Sequence, residues 1–298
     1  MMHEGRTLEQ IREHYEIETK LASKLRNASR QERRDLYSSL YDELYRQVPH
    51  HPQLMQKRSL QDTVAAVSVQ MRLVKPFLGR DMTFLEIGPG DCALALEVAK
   101  YVRQVYAVDV SDEITRSVTQ PANFRLVLSD GISVPVPESS VDVAYSNHLM
   151  EHLHPDDAVE QMENIWKALV PGGVYICITP NRLSGPHDIS AHFDREATGF
   201  HLKEYTVLEL SSLFRKVGYL RLRVHVGAKG KYISLHPSPI ILLEKSLGRL
   251  PYLLRRPVAR NLPLRILLGN VRFVGMKPSE VRLGLRPELG QIDNFAQR

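Results

Sequence analysis

Over the first 80 residues, apolar positions recur at helical spacing. Thr7 and Gln10 form a capping box, and Leu8, Ile11, Tyr15, Leu21 and Leu25 mark one helix face behind it. Ser29 and Glu32 form a second box. The helix it opens carries a stripe of Leu36, Leu40, Leu44 and Val48, flanked by Tyr37, Tyr41 and Tyr45, and Pro49-His50-His51-Pro52 stops it. A third helical stretch runs from about Leu54 to Lys75 and ends at Pro76. The tyrosines are expected to flank the packed face, or to cap a ligand site.

From Thr83 the rhythm changes to short apolar runs alternating with helical segments, the pattern of a doubly wound α/β sheet. TFLEI, QVYAVDV, FRLVL, VDVAYS and VYICIT read as five strands, the alternating YLRLRVHV as a sixth and VRFVGM near 271–276 as a seventh. Asp157 with Glu160 is expected to cap one connecting helix, and Thr206 with Glu209 another that Gly218 ends. Strands six and seven are separated by about 40 residues rich in Leu, Ile, Pro and Arg, too long for a plain loop. The expected division is a helical N-terminal extension (1–80), an α/β core (81–231), a basic amphipathic helical insertion or cap (232–270), and a last strand with a tail (271–298).

Charge changes this picture. The chain has a net +5, yet 215–286 holds sixteen Lys and Arg against Glu244 and Glu280, a local +14 that leaves −9 elsewhere. One part can therefore hold a cation and another face an anion. Two cysteines, Cys92 and Cys177, exclude a disulfide scaffold and point to a reducing compartment. The longest uncharged run, Ala168 to Asn181, contains Pro171, Gly172, Gly173 and Pro180 and is too short to span a bilayer. The opening residues are charged from Glu4 onward, unlike a signal peptide, so a cytoplasmic chain is expected.

The turn Gly88-Pro89-Gly90-Asp91-Cys92-Ala93 formally fits the dinucleotide fingerprint, with Asp109 at about the expected distance. Its charges argue otherwise. Glu86 and Asp91 would repel a pyrophosphate and suit an ammonium or sulfonium. Asp109 ends the second strand, where a carboxylate can accept both ribose hydroxyls, and Asp130 follows the third strand on the same rim.

L-E-I-G-P-G-D, then V-D-V-S at 108–111, S-D-G at 129–131 and L-V-P-G-G-V-Y-I at 169–176 together resemble the class I S-adenosylmethionine-dependent methyltransferases. The resemblance covers about 80–226 and the seventh strand, and departs at Cys92, where the family often has a third glycine. It implies a seven-stranded Rossmann-like sheet and S-adenosylmethionine as cofactor. It also implies that Glu86, Gly88 and Gly90 surround the methionyl end, Asp109 the ribose, and Asp130 with the Gly131 amide the adenine, with Asn147 a further cofactor-binding residue.

Methyl transfer from a sulfonium is an in-line displacement, so positioning matters most, with proton removal added for a poor nucleophile. The candidate bases are His148, His187, His192 and His201, with Asp188 as an orienting carboxylate. His152 and His154 are too close in sequence to share a helix face, and no metal site is expected. The expected acceptor is a small molecule, lipid or glycan, methylated at oxygen. Residues 236–268 would contact an anionic membrane or a phosphate-bearing acceptor peripherally, at the inner membrane surface. With Tyr252 as the insertion's stacking aromatic, nucleic acid is not expected. The competing classes are an NAD(P)-dependent oxidoreductase and a non-catalytic membrane-associated protein on a methyltransferase fold.

Overall fold

A computed structural model describes residues 5–55, 59–111 and 120–279. The strands are β1 (Thr83–Ile87), β2 (Gln104–Asp109), β3 (Phe124–Leu128), β4 (Val141–Asn147), β5 (Leu169–Pro180), β6 (Leu220–Ala228), β7 (Lys231–Leu235) and β8 (Asn270–Met276). They form one sheet in the order β3-β2-β1-β4-β5-β8-β6-β7. β1 to β5 run parallel, whereas β8 is antiparallel to β5 and to β6. The strand order reverses between β1 and β4, which opens a crevice beyond their carboxyl ends.

The helices are α1 (Leu8–Asn27), α2 (Arg30–Gln47), α3 (Pro52–Met55), α4 (Leu60–Val74), α5 (Ala93–Val98), α6 (Pro155–Ala168), α7 (Val207–Val217), α8 (Pro237–Gly248), α9 (Tyr252–Arg260) and α10 (Leu264–Leu268). Thr7–Gln10, Ser29–Glu32 and Thr206–Glu209 all form reciprocal capping boxes, and Gly218 ends α7 in the left-handed region. One core layer joins α1, α2, α6, α7 and α8 to one face of the sheet through Leu21, Leu40, Ile165, Phe214 and Leu247. On the other face α4 and α5 pack through Val74, Ala95 and Val98. The N-terminal helices α1 and α2 therefore share the central core.

Three expectations are corrected. Eight strands form rather than seven, and the insertion is not wholly helical: KYISL pairs with β6 as a hairpin before α8 begins. Helical periodicity in the following Ile and Leu residues masked this short edge strand. The cap of α6 also differs. His154 caps it ahead of Pro155, and Asp157 lies one turn inside, where it accepts from Arg33 and Tyr37. The tail from residue 280, with Arg282 and Arg286, lies outside the described residues.

Candidate functional site

β1 is buried along its whole length, so Glu86 near its carboxyl end has a buried side chain. Its Oε2 has no hydrogen-bond partner. Burial, with help from the nearby Asp91 and Asp109 carboxylates, pushes Glu86 up to about 8. Asp109 ends β2, and burial raises its pKa too, although the amides of Val110 (2.7 Å) and Ser111 (3.4 Å) donate to its Oδ1. Asp91 accepts from the Ala93 amide at 3.1 Å and so opens α5. Three carboxylates gathered here make this end of the crevice a place for positive charge.

The backbone between them is bent to match. Gly88 (φ +64°) and Gly90 (φ +58°) are left-handed; a Cβ on Gly88 would lie 3.0 Å from Leu149, whereas the space beside Gly90 is open. Cys92, where the resembled family often has a third glycine, adopts φ +56° as the residue before α5. Burial, with the adjacent acids, pushes the thiols of Cys92 and of the strand residue Cys177 up to about 12, which removes both as nucleophiles.

Asn147 ends β4 beside the end of β1. Asp130 and Gly131 follow β3, two strands away, and are already engaged. Asp130 accepts from the amides of Ile132 (3.0 Å) and Ser133 (2.7 Å) and pairs with Arg34 at 2.8 Å. These amides and Arg34 hold its carboxyl below the usual range even though burial opposes them. The Gly131 amide donates to Ser129 Oγ at 3.2 Å, and Tyr37 packs over the glycine. Tyr37 thus caps this rim while also belonging to the α2 packing face.

The four candidate histidines separate. His148 is exposed at the carboxyl end of β4 and adopts φ +53°. Its Nδ1 lies 2.9 Å from Glu151 Oε1 and its Nε2 3.2 Å from the Asn270 side-chain amide. Glu151 is fully buried and also accepts from Thr179 Oγ1 at 2.9 Å. A carboxylate accepts only, so Nδ1 carries the proton and Nε2 presents its lone pair. His187 and His201 share Glu204, with Nδ1 distances of 3.2 and 2.8 Å. These two imidazoles hold Glu204 down to about 2 against the opposing effect of its burial. His192 lies on an exposed turn, meets Phe193 and lines the same cavity as His187 and His201.

Asp188 does not orient a ring. It accepts from the Ser190 amide and hydroxyl and from the His201 amide, and so shapes the loop. Glu204 and Glu151 hold the imidazoles instead. His148 and Glu151, three residues apart, were visible as a spacing, whereas the Glu204–His187 contact spans 17 residues and needed the fold.

Among the described residues, the candidate histidines line two of the cavities. One, of about 780 Å³, is lined by Lys229, Arg260, Arg265 and Arg272 together with Asn270 and His187. The other, of about 280 Å³, lies between α1, α2 and the loop after β5. Six of the chain's twelve histidines line it: His14, His51, His152, His187, His192 and His201. Local spacing argued against a metal, yet the fold brings His152 and Glu151 together with the distant His201.

Residues 85–177 match the sequence profile of a methyltransferase domain. Over 153 residues the chain is 31% identical to a "probable S-adenosylmethionine-dependent methyltransferase" of Mycolicibacterium smegmatis, covering 51% of this chain and 56% of that one. A protein of the same description from Mycobacterium tuberculosis is 29% identical over 153 residues, covering 51% and 53%. The chain thus spans about half the length of the curated relatives it matches. The structure of Haemonchus contortus phosphoethanolamine N-methyltransferase 1, in complex with phosphoethanolamine and S-adenosylhomocysteine, superposes with a TM-score of 0.54 at 15% identity. That match covers 90% of this chain and 53% of that one, and it shows a shared fold.

Proposed function

We propose that this chain, a member of the class I S-adenosylmethionine-dependent methyltransferase family through residues 85–177, methylates an oxygen of an anionic small-molecule, lipid or glycan acceptor. The observation that carries the reading is the buried, half-unpartnered Glu86 carboxylate among Asp91 and Asp109. A pyrophosphate would be repelled there, which disfavours a nicotinamide dinucleotide. An ammonium or sulfonium would relieve the repulsion.

When bound, S-adenosylmethionine supplies a methyl group on a sulfonium, an electrophile that needs no further activation. Glu86 with the Gly88–Gly90 backbone and Asn147 would hold the methionyl end, Asp109 the ribose hydroxyls, and Asp130 with Gly131 the adenine. His148 is the base best positioned for an acceptor hydroxyl. Glu151 fixes its tautomer, and Nε2, which accepts from the Asn270 amide, takes the proton of an acceptor hydroxyl that displaces that amide. The adjacent basic cavity, which Asn270 links to His148, suits a phosphate or carboxylate on the acceptor.

The insertion supports a peripheral membrane role. Leu242, Leu253, Leu254 and Leu262 are 58–75% exposed among Lys245, Arg249, Arg255 and Arg256, the composition that favours an anionic lipid surface. Among the described residues no helix is long and apolar enough to cross a membrane. The test is transfer of labelled methyl from S-adenosylmethionine into cell extract fractionated into lipid, polysaccharide and RNA. Label in lipid or polysaccharide, stable to conditions that cleave esters, is expected. Label in RNA alone would overturn the acceptor class.

A further inference from the structure

We propose that Glu151, His152 and His201 form a binding site for a divalent transition-metal ion that opens into the histidine-lined cavity. Their ligand atoms lie within 4.8 Å of one another. Zinc bonds of about 2.0–2.2 Å place donors up to about 4 Å apart, so side-chain shifts under an ångström close the site.

The hydrogen bonds around these rings prepare the correct nitrogens. The Phe200 carbonyl, 3.1 Å from His152 Nδ1, can only accept, so that nitrogen carries the proton; the Tyr41 hydroxyl lies 2.8 Å from the same atom. Glu204 Oε1, 2.8 Å from His201 Nδ1, does the same for the second ring. Both Nε2 lone pairs are left as ligands, and each ring is oriented by an acceptor behind it, as metal-binding histidines usually are. The two rings meet edge to face at 4.9 Å. Glu151 supplies the anionic donor, and Thr179 and His148 fix its position.

The cavity's other histidine cluster, His14, Glu18 and His51, shows what excludes an ion. The Arg6 guanidinium lies 2.9 Å from His14 Nδ1 and can only donate. His14 Nε2 therefore carries the proton and donates it to Glu18 at 2.8 Å. A cation there would have to remove the last ring proton beside a fixed positive charge.

Two imidazoles and one carboxylate favour zinc, manganese or iron over magnesium, and three protein ligands leave a position open to the cavity. On the methyl-transfer reading that position suits an acceptor oxygen; the metal site itself does not depend on that reading.

The test is titration of the chelator-stripped full chain with Zn²⁺ against a chromophoric chelator. One ion per chain is expected, with affinity roughly 10–100-fold weaker in Glu204→Gln, which removes the carboxylate charge shared by His201 and His187 while leaving all three ligands in place. Larger losses are expected in His152→Gln and His201→Gln, and none in His14→Gln. Co²⁺ added to the unsubstituted protein should give the visible absorption of a low-coordinate nitrogen–oxygen site, a readout that needs no variant to fold. Absence of stoichiometric binding, or binding lost in His14→Gln but kept in His201→Gln, would overturn the site. S-adenosylmethionine-induced thermal stabilisation of the metal-free protein, measured alongside, separates failure of the metal site from failure of the methyl-transfer reading.

Discussion

Arg33 and Asp157 form a bidentate pair, Nε to Oδ2 and Nη2 to Oδ1, both at 2.6 Å, with both side chains buried. Tyr37 adds a third contact: its hydroxyl donates to Asp157 at 2.8 Å and accepts from the His154 amide at 2.8 Å. This cluster fastens α2 to the start of α6, and so fixes the N-terminal helices over the rim that carries Asp130, Gly131 and His152. Removing one partner leaves the other charge buried and unpaired. Asp157→Ala should therefore cost about 3–5 kcal/mol in denaturant unfolding. A loss below about 1 kcal/mol would mean that the pair does not anchor the extension.

The sequence signals that proved readable were local. Capping boxes at Thr7, Ser29 and Thr206, the strand periods and the Gly88–Gly90 turn each depend on residues within a few positions of one another. Glu86, Gly88, Gly90, Asp109 and Asn147 converge because the order β2-β1-β4 follows from that pattern. Asp157 was misread because its offset from Glu160 mimics a capping box, while its partners Arg33 and Tyr37 lie more than 100 residues away. Glu204 was missed although His201 lies only three residues before it, because its second partner, His187, is 17 residues away. A carboxylate that serves two histidines from across a loop leaves no periodic trace.

Cofactor binding should be visible as thermal stabilisation. S-adenosylmethionine or S-adenosylhomocysteine at about 100 times its Kd should add roughly 2.7 kcal/mol, and NAD or NADP none. Asp109→Ala should weaken the shift strongly by removing the acceptor for the ribose hydroxyls. Stabilisation by NAD alone would contradict the reading.

Glu86 gives this binding a pH dependence with a definite sign. Its folded pKa of about 8 lies above the unfolded value, so the folded state retains its proton between the two and stability falls as pH rises through about 8. Cationic ligand binding runs the other way, because it needs the ionised carboxylate. S-adenosylmethionine affinity should rise as pH is raised from 6 to 8, by up to about tenfold per unit. Calorimetric titration of Glu86→Gln should show weaker affinity and a flat profile; a variant that keeps the slope would assign it to another group.

His148 should separate chemistry from binding. General-base catalysis is worth roughly 10² to 10⁴ in rate, so His148→Ala should lose that much turnover while the thermal shift with cofactor persists. His192→Ala, on the exposed turn, should stay near the parent rate. Equal turnover in both variants would leave positioning alone to drive the transfer.

The buried imidazoles predict acid sensitivity of the metal-free protein. Burial holds His51, His152 and His225 at about 4, so all three stay neutral in the folded state while the unfolded chain takes up protons near 6.5. Their contribution is present above about 6.5 and is lost as pH falls from there through about 4. Glu204, held at about 2 by His187 and His201, loses its contribution over a lower range, from the ordinary glutamate value downward. His201 opposes the trend, since Glu204, Glu151 and Asp188 raise its pKa despite burial. Because His51 and His152 line the cavity beneath α1 and α2, these helices should loosen first. Denaturant midpoints at pH 7.5, 6, 5 and 4.5 should decline steadily, with amide exchange in 8–47 accelerating ahead of the β1–β5 strands. His51→Phe, which keeps a ring without a titrating nitrogen, should reduce the slope; an unchanged slope would move the acid sensitivity to the other two imidazoles.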